Sequence, residues 1–142
     1  MTEYEYLEHL DCATLTTLIR EMLDFDETTR ALMQLEEKDP ETALELGKDI
    51  LLYNQGDDYL QATVWNILYY DHPADMIEAI CKRKEEVGKA LLLEIIFDFK
   101  LDHIVPNEHF PQKIREGIQK TAHLKDQRTL KYQDLEEVLS HV

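Results

Sequence analysis

Residues 57–73 read DDYLQATVWNILYYDHP. One Trp and three Tyr lie in this stretch, with Asp57 and Asp58 at one end and Asp71 near the other. Counted from Leu60 at 100° per residue, Leu60, Val64, Ile67 and Leu68 fill a helical stripe from about −20° to 80°. Ala62, Trp65 and Tyr69 fill a second stripe, from about 140° to 200°. A helix that is apolar on two sides belongs in the middle of a packed structure. The aliphatic stripe therefore reads as core. The aromatic stripe has two readings. It packs against the next helix pair of a stacked array, or it lies on a concave surface beside the acids. There Trp and Tyr would hold Lys and Arg of a partner through charge pairing and cation–π contact.

Outward from this segment, apolar residues recur at helical spacing in both directions. Leu15, Leu18, Ile19 and Met22 form one face of a first helix. The DFDE around Asp24–Glu27 marks a break and a new N-cap, and the second helix carries Ala31, Leu32 and Leu35. Asp39-Pro40-Glu41 starts a third, with Asp as cap, Pro at the first position and an acid in the first turn. That helix ends near Asn54-Gln55-Gly56, and Asp57 or Asp58 caps the fourth. Pro73 opens a fifth, with Met76, Ile77 and Ile80, whose Lys82-Arg83-Lys84 end complements the helix dipole. A sixth is expected from about Glu86 to Asp98. A loop with two prolines follows, then a seventh helix with Ile114, Ile118 and Ala122, and a last from Tyr132 to Val142. Strand-type alternation is absent. Tyr59-Leu60-Gln61-Ala62 with Leu68 is echoed by Val87-Gly88-Lys89-Ala90 with Ile96, 28 residues on. Such a helix-pair unit buries its apolar face only by stacking on neighbours. The expected fold is all-α: one domain over residues 1–142, short antiparallel helix pairs stacked as a small HEAT-like solenoid or bundle.

The 142 residues carry a net charge of −15, from 30 acids and 15 bases. The excess of acids lies in residues 1–102, and residues 103–142 balance. This charge repels nucleic-acid phosphates and anionic membranes. It favours a basic protein partner, reached by fast, salt-sensitive association. The opening MTEYEYLEHLDC lacks the basic and apolar regions of a signal peptide. Cys12 and Cys81 stand in no paired motif. Both features fit a reducing cytoplasm and free thiols.

Catalytic patterns are missing. The four glycines stand alone rather than in a phosphate loop, and neither C-x-x-C nor H-E-x-x-H occurs. His103 and His109, with Asp102 and Glu108, match no metal-ligand spacing. Cys12 with His9 and Asp11 is close in sequence only, and a nucleophile triad is defined in space. Glu94 and Asp98, one helical turn apart, form a carboxylate pair or a solvated helix face. No cofactor, metal or enzymatic activity is expected.

The segments DDYLQATVWNILYYDHPADMIEAICKR and EEVGKALLLEIIFDF, set in a small acidic helical chain, resemble bacterial immunity proteins of toxin–immunity systems, including those of contact-dependent growth inhibition. The resemblance implies a stoichiometric inhibitor that occludes a secreted toxin domain, often a basic nuclease. The residues expected at that contact are Asp57, Asp58, Tyr59, Trp65, Tyr69, Asp71, Glu94, Asp98 and Asp102. The alternative is an α-helical adaptor that receives a peptide or regulatory protein in a helical groove.

Overall fold

The computed structural model describes residues 3–125 and 130–140. A short 3-10 helix, Glu5–His9, precedes α1 (Cys12–Glu21), α2 (Phe25–Lys38), α3 (Pro40–Leu52), α4 (Asp58–Leu68), α5 (Pro73–Lys82), α6 (Lys89–Leu101), α7 (Gln112–Lys120) and α8 (Tyr132–Leu139). The first four α-helices each begin at an aspartate whose side chain accepts from a free backbone N–H of the first turn: Asp11, Asp24, Asp39 and Asp57. Each such cap contributes about 1 kcal/mol. Part of the acidic excess is thus spent inside the fold.

Consecutive helices pack as pairs except α5 and α6, and next-but-one helices pack as rows. The sequence α1, α3, α5 forms one row, and α2, α4, α6, α8 a second. In this array α4 touches α2, α3, α5 and α6, with its most extensive contact on α6. That central place explains its two apolar stripes. Leu60, Val64 and Leu68 are buried on one side, Trp65 and Tyr69 on the other. Where α3 crosses α4, Gly47 brings the backbones close, and a Cβ there would collide with Leu68.

Where α4 meets α6, Trp65 meets Asp98 and Tyr69 meets Asp102, both 33 residues apart. Two helix boundaries are corrected. The sixth helix starts at Lys89 rather than Glu86, because the chain before it is held in another shape. Val87 is buried, and the carbonyls of Glu85 and Glu86 accept from Arg83. The seventh ends at Lys120, and Thr121 turns back to bond the Gly117 carbonyl, so Ala122 lies outside it. The last helix ends at Leu139, and the expectation for residues 141–142 falls outside the described residues.

Arg83, expected as one of three dipole-facing bases, is instead buried. All five of its N–H donors are used. Nε bonds the Glu85 carbonyl at 2.9 Å. Nη1 bonds the Leu51 carbonyl at 2.9 Å and Gln61 Oε1 at 3.0 Å. Nη2 bonds Asn54 Oδ1 and the Glu86 carbonyl, each at 3.1 Å. One side chain therefore ties the end of α3, the α3–α4 turn, α4 and the α5–α6 connection.

Two outcomes follow for chemical denaturation. Leu68→Ala lowers stability by roughly 2–5 kcal/mol, through lost transfer energy and a residual cavity. Arg83→Lys lowers it by about 1–3 kcal/mol, because an ammonium has three donors for five acceptors, two of them buried.

Candidate functional site

The nine residues expected at a partner surface fall into three groups. Asp57 is exposed, and its carboxylate accepts from Leu60 N–H at 2.8 Å, capping α4. Asp71 is exposed in the turn before α5. The other seven gather around α6.

Four of those seven form an internal junction. Along α6 and at its C-cap the carboxylates Glu94, Asp98 and Asp102 succeed one another at single-turn spacing, and each accepts a hydrogen bond from an aromatic donor. Tyr132 Oη donates to Glu94 at 2.6 Å, Trp65 Nε1 to Asp98 at 2.7 Å, and Tyr69 Oη to Asp102 at 2.6 Å. Trp65 and Tyr69 stack with centroids 4.7 Å apart, and Phe99 meets the Trp65 ring edge-on at 6.1 Å. Trp65 is 0% exposed, Tyr69 2% and Asp98 6%. These three therefore offer no surface, which corrects their placing at a partner contact. A buried indole needs an acceptor for its N–H, and the acid that seemed free for a partner supplies it. Only Asp102, at the C-cap, keeps its carboxylate at the exposed edge of this junction.

Burial raises the Asp98 carboxyl to about 6. The Trp65 hydrogen bond opposes that rise, and the neighbouring Glu94 and Asp102 charges add to it. Burial likewise raises the Tyr69 phenol, helped by its hydrogen bond to Asp102. The Tyr132 phenol is raised by burial and by Glu94.

The third group is Asp58, Tyr59 and Glu94, which line one groove of about 610 Å³ between α4, α6 and α8. Asp58 spans the helices: it accepts from Ala90 N–H at 2.6 Å and Leu91 N–H at 3.1 Å. It serves as the cap that Gly88 lacks, and a Cβ on Gly88 would collide with the Asp58 carboxylate. Tyr59 is 77% exposed.

Sequence reasoning missed the rest of this face. Thr63, Asn66 and Tyr70 continue the line from Tyr59 along the exposed side of α4 and the turn after it, and Tyr70 is also 77% exposed. Their signal was present. On the same wheel, Tyr59, Asn66, Tyr70 and Thr63 fall between about −120° and −60°, the sector left by the two apolar stripes. Glu136 and Tyr132 of α8 reach the same region through the fold alone: Glu136 lines the groove and Tyr132 stacks on Phe97 at 4.2 Å.

The other clusters are accounted for by structure. Asp11 caps α1 through Thr14, which holds its carboxyl below the usual carboxylate range. Cys12 and Cys81 are free thiols. Among the described residues, no group of three or more His, Cys, Asp or Glu is arranged to hold a metal ion.

Because burial raises Asp98, its ionisation disfavours the fold. Its contribution to stability is full below about pH 4 and is lost as pH rises through about 6. Asp98→Asn keeps an acceptor for Trp65 and removes that loss. Relative to the native chain, the variant gains about 1–3 kcal/mol between pH 4 and pH 7. Denaturation midpoints across this range check it, and parallel pH profiles for the two proteins would contradict it.

No family model, curated protein or solved structure matches this chain.

Proposed function

We propose that this chain is a partner-binding protein of the immunity type. It acts in the cytoplasm as a stoichiometric, non-enzymatic inhibitor that occludes a basic toxin domain, with a nuclease as the leading class. One observation carries the reading: the exposed line from Tyr59 on α4 to Tyr70 in the turn after it, in a molecule of net charge −15. Tyrosines bury much area with little loss of side-chain freedom and are favoured as interface anchors. The surrounding charge steers a basic surface toward them and repels nucleic acid itself. No described helix is long and apolar enough to cross a membrane.

The apolar floor of the groove favours a second reading, an adaptor that receives a helical peptide. Salt separates the two. A charge-steered inhibitor loses association rate steeply as salt rises, and an adaptor held by apolar contact does not.

The experiment is capture of partners by the tagged chain at low salt, elution with salt, and co-expression of each eluted protein with the chain. A basic domain that elutes at equal stoichiometry, and whose toxicity co-expression abolishes, supports the inhibitor. A neutral partner with a salt-insensitive affinity supports the adaptor. In either case Tyr59→Ala with Tyr70→Ala weakens binding by roughly tenfold or more and leaves the melting temperature within a few degrees. Unchanged affinity in that variant removes this face from the contact.

A further inference from the structure

The groove beside the tyrosine line has a more specific chemistry. Its floor is aliphatic: Ala62 of α4, Leu92 of α6 and Leu139 of α8 are nearly fully buried. Its walls carry the carboxylates of Glu94 on α6 and Glu136 on α8, and Tyr59 flanks it. Asp58 also lines it but spends its oxygens on the α6 amides. Among the described lining residues Lys89 is the one cation.

We propose that this groove is an anchor site for an arginine side chain of a basic protein partner; the proposal rests on the reading of α4 as the contact face. An arginine matches each part of the groove. Its methylene stem covers the apolar floor while its head stays at the charged rim. The planar guanidinium offers paired donors to a carboxylate and stacks on a tyrosine face. Glu94 is already oriented, since its Oε2 accepts from Tyr132 at 2.6 Å. A purely apolar occupant would strip water from Glu94 and Glu136 without replacing it. Lysine brings charge but no planar fork, and its ammonium holds water more tightly.

The test uses the full chain and a short capped alanine peptide with one central arginine, beside its lysine and citrulline counterparts. Backbone amide shifts are followed by NMR at low and raised salt. The arginine peptide shifts Thr63, Asn66, Leu93 and Glu136, with a dissociation constant of order millimolar. The lysine peptide binds about two- to fivefold more weakly, and citrulline leaves the spectrum unchanged. Glu136→Gln, an exposed change that leaves the fold intact, weakens the arginine peptide by about two- to fivefold. The inference is overturned by absence of shifts, by shifts centred on the acidic face of α3 (Glu41, Glu45, Asp49), by equal binding of citrulline, or by an unaffected Glu136→Gln variant. The peptide assay needs no natural partner. If it fails while Tyr59 and Tyr70 still matter to a captured partner, the arginine anchor falls and the binding role stands. If the peptide binds as expected and the double tyrosine variant leaves captured partners unaffected, the contact-face reading falls instead.

Discussion

The array depends on the fixed register of α4 against α6. Three contacts set it: the Asp58 carboxylate on the Ala90 and Leu91 amides, Trp65 on Asp98, and Tyr69 on Asp102. Their sequence separations, 32 or 33 residues, stay constant along the pair, so the two helices run in the same direction. Apolar burial alone does not choose among neighbouring registers, because it has no direction. A slip of one residue would turn the carboxylates off the seam and leave a buried indole N–H unmatched, which is far costlier than a misplaced methyl group, and a slip of a full turn would take the Asp58 carboxylate off the Ala90 and Leu91 amides. Register in this molecule is therefore a polar decision inside an apolar core.

Acidity plays several physical roles here. Some aspartates cap helices, α6 carries a file of carboxylates met by aromatic donors, and others remain exposed to solvent. Only the last kind contributes an undiluted field to an approaching partner. Charge counted from composition therefore overstates the charge available at any one face. At the groove between α4, α6 and α8, Glu136 is of that kind, while Glu94 is shared with Tyr132 and Asp57 and Asp58 are occupied by helix N–H groups.

The helical class was legible because α1 to α5 and α7 announce themselves twice, by a stripe of apolar residues and by an aspartate or proline at the start. Asp39-Pro40 and Asp57 mark their boundaries within a residue. The start of α6 was not legible. Its cap comes from Asp58, far away in sequence, and its preceding turn is shaped by the distant Arg83, so no local pattern encodes the boundary. The candidate site was half legible. The two apolar stripes of α4 identified what it buries, and the remaining sector defined what it shows. Attention to the most conspicuous residues, Trp65 and Tyr69, pointed to the inside instead. Size and aromaticity signal burial as readily as binding, and only the angular position separates the two.

The burial of Trp65 also decides what light can report about this protein. It is the only tryptophan in the chain, and its ring is sealed between Tyr69 and Phe99 with its N–H held by Asp98. The emission expected of it is that of an indole out of contact with water. A ligand settling on the outer side of α4 touches tyrosines and leaves this fluorophore alone. A change in tryptophan emission on complex formation would therefore announce a rearrangement of α4 against α6, and a silent tryptophan would mean that the partner meets the scaffold as it already stands.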